Sequence, residues 1–274
     1  MLARQNMYRI VIGGLFLSGW LASHADTQAS PSISIIIDDL GYQYKLGQRA
    51  VSLNGSITCS FLPNAPYARR LAEQAHRQQK EIMLHLPMEA ETKNHLGPGA
   101  LTQCMSEKDF KSLVHSNLAA IPHARGFNNH MGSRLTKSPR LMTWLMQAAM
   151  FRDDLYFVDS RTTTESVAQQ EAERRQIAAT RRDVFLDYER SADIVAEQLK
   201  DLARYAKSHG TALAIGHPYP ATRAALEAWL PTLKQQGIKL VPVSELIRIR
   251  KQRRNASWQM SSYHSHRVAK SSKR

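Results

Sequence analysis

Carboxylates and imidazoles stand directly after several apolar, strand-like runs of this 274-residue chain. Asp38 and Asp39 follow a run dominated by isoleucine, and His85 and His130 each end a later run. Two neighbouring carboxylates beside an apolar strand repel each other and lose hydration, and a bound cation is the typical compensation. One aspartate with two histidines leaves coordination positions open for water, as a catalytic divalent site requires. These residues therefore predict a metal site.

Zinc is the expected ion, because it is the commonest choice for such ligands, although other divalent metals would also fit. Glu89, four residues after His85, is a candidate ligand or a residue that orients one. Simpler interpretations stay open. The sequence at 38–41 is also a good turn or helix start, and a single histidine at a strand end is often a hydrogen-bonded structural residue.

The elements that must position these residues alternate along residues 32–249. Helix-like segments separate the apolar runs; one begins at a capping box at Ser106, and another ends at Gly210. Such alternation indicates an α/β fold with a parallel sheet covered by helices, and the number of units favours a (β/α) barrel over an open sheet. The strand-like runs are Ile33–Ile37, Ser56–Leu62, Glu81–Leu86, Gly126–Asn129, Leu155–Val158, Asp183–Leu186, Thr211–Ile215 and Lys239–Val243.

In such folds the carboxyl ends of the strands meet at one rim, where the working residues lie. We therefore expect the residues that follow the strands to gather there, Asp159 and His217 included. No GxGxxG or P-loop follows the first strand, which weakens the case for nucleotide binding.

The positive charge of the chain is concentrated at its ends. The formal net charge is +14, a balance typical of nucleic-acid binders. However, residues 1–25 contain two arginines and no acid, and nine Lys or Arg residues and no acid follow Glu245. The stretch between them is nearly neutral, so no nucleic-acid partner is indicated. With 43% hydrophobic residues and two cysteines, a wholly disordered chain and a disulfide-stapled miniprotein are excluded.

The first 25 residues have the features of a secretory signal peptide. Arg4 and Arg9 precede the apolar run Ile10–Leu21, and Ser23-His24-Ala25 offers a small-x-small cleavage site. The run is shorter than the roughly 20 residues that span a bilayer, which favours cleavage over an uncleaved anchor. We therefore expect a periplasmic or secreted protein.

Three parts are predicted: a signal peptide at 1–25, a barrel domain at 26–249 and a basic disordered tail at 250–274. Anionic lipid headgroups or acidic envelope polymers are the expected counterparts of the tail, unless it serves only solubility. Cys59 and Cys104 would lie in an oxidising compartment and could pair, although a buried thiol is equally compatible with Cys59 in a strand. The sequence gives no indication of the oligomeric state.

Five motifs, in this order, resemble the divergent polysaccharide deacetylase family of the glycoside hydrolase/deacetylase superfamily. They are IIIDDLG (Ile35–Gly41), LHLPME (Leu84–Glu89), NNHMGS (Asn128–Ser133), FVDSRTT (Phe157–Thr163) and GHPYP (Gly216–Pro220). The resemblance covers residues 32–249. It implies a distorted, NodB-like (β/α) barrel of about seven parallel strands and a metal-dependent hydrolase that removes N-acetyl groups from sugars, here an envelope polysaccharide or the peptidoglycan glycan.

The resemblance also implies residue roles. Asp38 is similar to the general base, Asp39 to the first metal ligand, and His217 to the histidine that protonates the leaving amine. Typical members supply both histidine ligands from one HxxxH-type motif, which this chain lacks after its paired aspartates, so His85 and His130 are inferred from separate strands.

Four further side chains are candidates for orienting ligands or substrate: Glu89, Asn129, Ser133 and Asp159. Two other functions stay open. One is a non-catalytic glycan- or protein-binding barrel with a vestigial site, and the other is glycoside hydrolysis by Asp38 and Glu89.

The protein recovered from its host is expected to begin at Asp26, because cleavage after Ala25 removes the apolar run. Intact-mass spectrometry of the purified protein checks this. A mass that includes residues 1–25 would show that the segment is retained as an anchor.

Overall fold

The structure is a computed structural model that describes residues 30–92 and 95–256. Within these ranges nine strands form one sheet in which every strand pairing is parallel. The strands are β1 (Ser32–Leu40), β2 (Thr58–Phe61), β3 (Glu81–Met88), β4 (Ala124–Met131), β5 (Tyr156–Asp159), β6 (Ala178–Arg181), β7 (Val184–Phe185), β8 (Thr211–Gly216) and β9 (Lys239–Leu240). The helices are α1 (Tyr44–Val51), α2 (Ala68–Arg77), α3 (Glu107–Ala120), α4 (Pro139–Ala149), α5 (Ala168–Arg174), α6 (Ala192–His209), α7 (Pro220–Trp229) and α8 (243–256).

The sheet curls because one extended segment changes partner midway. Eight strands follow one another in the order β6-β5-β4-β3-β2-β1-β8-β7, and β9 pairs with β1. The first part of this segment, β6, pairs with β5, and β7, which starts three residues after β6 ends, pairs with β8. The two edges of the sheet are therefore brought together by the chain itself. This confirms the predicted distorted (β/α) barrel, with more strands than the seven expected, and the predicted strand Asp183–Leu186 is only the second half of the switching segment.

Strand β1 is buried on both faces, which explains its isoleucines. Ile33, Ile35 and Ile37 pack in the large core between sheet and helices. Ile36 faces the other way, into a smaller cluster inside the barrel. That interior cluster also contains Val243, Leu246 and Ile247 of α8. Helix α8 therefore fills the end of the barrel away from the carboxyl ends of the strands, and those ends remain free to form a site.

Helix α8 crosses the predicted boundary at 249 and continues to residue 256. Arg250 is anchored in the barrel: its guanidinium donates to Thr180 Oγ1 at 2.5 Å and to Thr211 Oγ1 at 3.1 Å, and it pairs with Asp183. The rest of the predicted tail, residues 257–274, and the predicted signal peptide lie outside the described residues. No helix within the described ranges is long and apolar enough to cross a membrane.

Both cysteines are free thiols. Cys59 is fully buried in β2, and burial raises the pKa of its thiol to about 12, whereas Cys104 is exposed. The alternative of a buried thiol at Cys59 therefore describes this structure, and the Cys59–Cys104 pair is not formed in it.

Replacing Arg250 by alanine is expected to lower the free energy of unfolding by about 2 kcal/mol, because Asp183 would keep its burial and lose its charged partner. Denaturant titration measures this. Lys251→Ala, an exposed neighbour on the same helix, should change stability by less than about 0.5 kcal/mol. Equal effects of the two substitutions would contradict the anchoring role of Arg250.

Candidate metal centre

A local distortion at the end of β1 brings two consecutive carboxylates to the same place. In a regular strand Asp38 and Asp39 would point to opposite faces. Here the pairing of β1 with β2 shifts register between Ile37 and Leu40, and Asp39 adopts a left-handed backbone with φ of 57°. A non-glycine residue in that region costs about 1 kcal/mol or more, and such strain persists only where surrounding contacts impose it. Both carboxylates consequently approach the same imidazole, that of His85.

Three potential ligand atoms form a compact triangle at the rim of the barrel. Asp39 Oδ1 lies 2.9 Å from His130 Nδ1 and 3.2 Å from His85 Nε2, and the two nitrogens are 3.0 Å apart. The histidines come from β3 and β4, neighbouring strands whose carboxyl ends meet here.

The triangle fits a divalent metal ion. Ligand atoms at about 2.0–2.1 Å from one tetrahedral zinc lie roughly 3.3 Å apart, close to the separations observed. Asp39 Oδ1 is also buried without a well-directed hydrogen-bond donor among the described residues. A bound cation would satisfy a buried carboxylate oxygen in this state. Among the described residues, Asp39, His85 and His130 are the one group of three possible metal ligands.

The electrostatics of the cluster favour a bound cation. Burial acts to raise the pKa of Asp39, but the His130 and His85 imidazoles outweigh it and hold that pKa well below its usual range. Burial acts to lower the pKa of His85, whereas Asp38 and Asp39 overcome it and raise the pKa to about 9. A metal ion and a proton would compete for His85 Nε2, so metal binding is expected to release protons.

A buried asparagine fixes the orientation of His85. Asn128 Oδ1 accepts a hydrogen bond from Ser60 Oγ at 2.9 Å and lies 2.8 Å from His85 Nδ1, while its Nδ2 donates to both oxygens of Asp38 at 2.8 and 3.1 Å. An oxygen acceptor at Nδ1 requires that nitrogen to carry the proton. When the ring is neutral, Nε2 therefore points its lone pair toward the triangle, the arrangement that metal-binding histidines need.

A third histidine, His217, faces the triangle from just after the end of β8. Its Nε2 lies 3.7 Å from Asp39 Oδ2, and its Nδ1 is 2.8 Å from Asp187 Oδ1. Asp187 Oδ2 accepts hydrogen bonds from the His217 amide and from Thr222 Oγ1, both at 2.7 Å. Burial acts to lower the pKa of His217, and Asp187 outweighs it, so the pKa lies above its ordinary value. The ring is held as an oriented proton donor would be.

The sequence and fold of this chain are similar to those of known proteins. The family model described as divergent polysaccharide deacetylase matches residues 35–247. The chain belongs to this family. An uncharacterized protein of Haemophilus influenzae is 37% identical over 220 residues, which cover 80% of this chain and 78% of that protein.

Two solved structures share the fold of this chain. An uncharacterized protein of Agrobacterium tumefaciens superposes with a TM-score of 0.76 at 24% identity, covering 79% of this chain and 89% of that one. A CE4 family pseudoenzyme from Bacillus anthracis has a TM-score of 0.50 at 17% identity, covering 80% and 66% of the two chains. Both support the barrel architecture.

Four predicted site residues hold loops together instead of reaching the triangle. Glu89 Oε2 accepts from the Gln103 amide, Asn129 Oδ1 from the Ser160 amide, and Ser133 Oγ from the Glu91 amide. Asp159 is completely buried and accepts from the Arg161 amide and Ser166 Oγ. None of the four supplies a ligand atom to the cluster of Asp39, His85 and His130. Their contact with substrate stays a prediction.

Two residues of the site were missed by sequence reasoning, Asn128 and Asp187. Asp187 directly follows Leu186, the end of a predicted strand, so the strand-end rule that selected the other acids could have found it. Asn128 directly precedes Asn129, which the sequence analysis names as a candidate. The two side chains differ in the face of the strand from which they project.

Replacing Asn128 by leucine is expected to weaken zinc binding by about 10- to 100-fold, because His85 loses the acceptor that fixes its tautomer. Competition titration with a chromophoric chelator measures the affinity. Asn117→Leu is the matched control, since Asn117 is also buried but donates to the Gly99 carbonyl and touches none of the three ligands. Equal losses in both variants would indicate a general effect of stability.

Proposed function

We propose that this chain is a secreted, metal-dependent hydrolase that removes N-acetyl groups from an envelope glycan. The observation that carries the proposal is the juxtaposition of two devices at one rim: the triangle of Asp39, His85 and His130, and the His217–Asp187 pair beside it. Amide hydrolysis needs an activated water on one side of the carbonyl and a proton donor for the leaving nitrogen, and these devices could supply them.

Asp39, His85 and His130 would hold the divalent ion, with zinc favoured by the ligand types. The ion would lower the pKa of a bound water and polarise the acetyl carbonyl. His217, oriented by Asp187, would donate a proton to the departing amine. Thr222 and the His217 amide keep the Asp187 carboxylate in place, so the ring retains the orientation that proton transfer requires.

Asp38 has two possible roles in this proposal. The family resemblance makes it the general base. Its side chain, however, is only 3% exposed, with Asn128 donating to both oxygens and His85 Nδ1 3.4 Å from Oδ1. Those contacts suit a residue that orients His85 and supports its charge. Asp38→Asn distinguishes the two: loss of a base lowers kcat with zinc affinity intact, whereas loss of an orienting residue weakens zinc binding first.

The proposed substrate is an N-acetylated envelope polysaccharide or the peptidoglycan glycan, reached after export through the predicted signal peptide. The Bacillus anthracis structure, described as a pseudoenzyme, has a mutant with restored enzymatic activity. Because this fold includes a pseudoenzyme, the alternative for the present chain is a non-catalytic role in binding a glycan or a protein. Glycoside hydrolysis is less well supported, because the Glu89 carboxylate accepts a hydrogen bond from the Gln103 amide and so holds a loop.

Purified protein is expected to release acetate from N-acetylglucosamine oligomers or peptidoglycan when zinc is present and to stop when a chelator is added. Asp39→Asn should abolish zinc binding and acetate release together. Asp187→Asn should lower kcat by about 10²- to 10⁴-fold with zinc affinity preserved, since it disturbs only the proton donor.

Arg204→Gln, on the exposed surface of α6, is the control and should retain full activity. Zinc binding without acetate release from any N-acetylated glycan would support the non-catalytic alternative. Acetate release that persists in Asp39→Asn would contradict the proposed centre.

A further inference from the structure

A cavity of about 410 Å³ opens beside the metal centre. Asp39 and His130 line it, and so do Tyr42, Arg190 and Tyr219. The volume is at the lower end of the range that holds small ligands in proteins. Tyr42, which is exposed, offers aromatic surface against which the apolar face of a sugar ring can pack. The cavity therefore connects the candidate metal centre to a space suited to one sugar unit and its substituents.

The cavity carries one permanent positive charge. Arg190 comes from the loop between β7 and α6, and its Cζ lies 4.3 Å from the centre of the Tyr219 ring. Tyr219 stands between two prolines at the start of α7, which restricts its backbone. Stacking on a ring occupies the face of a guanidinium and leaves N–H donors at its edge available for bidentate bonds.

Arg190 has no acidic partner within the described residues: none of their Asp or Glu carboxylates lies within 4.0 Å of its guanidinium. Other arginines of loops and helices here, such as Arg152, Arg175 and Arg223, have such partners. A guanidinium held by its ring contact and hydrogen bond with Tyr219, without a carboxylate partner among the described residues and lining a cavity, is suited to an anionic group supplied by a ligand.

We propose that Arg190 recognises an anionic substituent on an N-acetylated sugar, so that the site prefers acidic amino sugars to neutral ones. This rests on the proposed function, which places the acetamide at the metal centre. The two requirements lie in the same cavity: the acetamide end meets Asp39 and His130, and the anion meets Arg190 next to Tyr219. Carboxylates and phosphates can both accept two parallel N–H hydrogen bonds from a guanidinium.

Three monosaccharides test the preference in the zinc-supplemented mature protein. N-acetylglucosamine is the neutral reference, N-acetylmuramic acid adds a lactyl carboxylate at O3, and N-acetylglucosamine 6-phosphate adds a phosphate at O6. Ligand-observed NMR titration should give a Kd at least about fivefold lower for one of the acidic sugars, and the one preferred identifies the anion. The preference should weaken as salt concentration rises.

Arg190→Gln should remove the preference, so that the three sugars bind with equal affinities. Arg190→Lys should keep part of the preference, because the positive charge remains. The rest should be lost, because lysine lacks the planar guanidinium that stacks on Tyr219 and forms bidentate hydrogen bonds. Arg49→Gln, an exposed residue of α1 outside the cavity, is the matched control and should keep the full preference.

Equal affinities for all three sugars in the unmodified protein, no detectable binding of any of them, or a preference that survives Arg190→Gln would overturn the assignment of Arg190. The proposed function fails separately, if no N-acetylated glycan releases acetate. An acidic preference without acetate release would leave Arg190 as the recognition residue of a binding protein.

Discussion

The structure depends on the burial of two consecutive carboxylates at the end of its central strand. Asp38 is almost fully buried and Asp39 is partly buried, and each loses hydration that nearby groups must compensate. His85 lies between them, with one ring nitrogen toward each carboxylate. The backbone strain at Asp39 belongs to the same arrangement, since without it the second carboxylate would turn toward the helices. The distorted end of β1 and the site therefore form together.

The two ends of the barrel differ, and this difference leaves room for the site. Its interior cluster is apolar where α8 enters and becomes polar toward the carboxyl ends of the strands, at Ser60, Asn128 and His85. The strand that switches from β5 to β8 closes the sheet and leads directly into the loop that carries Asp187 and Arg190. The segment that closes the barrel is therefore followed at once by Asp187, which orients His217, and by Arg190, the cation of the adjoining cavity.

Much of this architecture could be predicted from the sequence, for identifiable physical reasons. Apolar runs followed by acids and histidines determine where parallel strands end, and five motifs in order carry the family resemblance. Asn129 was selected in place of Asn128 because the predicted strand ended two residues too early, and in a strand neighbouring residues face opposite ways. The helical start of the basic tail was missed because its charges suggested solvent, whereas Arg250 is paired inside the fold. Strand pairing and helix docking are tertiary properties that local patterns do not contain.

The central claim is that Asp39, His85 and His130 together bind one divalent ion. The most direct test is a crystal structure of the mature protein grown with zinc, with anomalous diffraction measured on both sides of the zinc absorption edge. The account predicts one anomalous peak within about 2.0–2.2 Å of Asp39 Oδ1, His85 Nε2 and His130 Nδ1. A fully ordered rim with no peak there, or a zinc ion held by other residues of the rim, would contradict it.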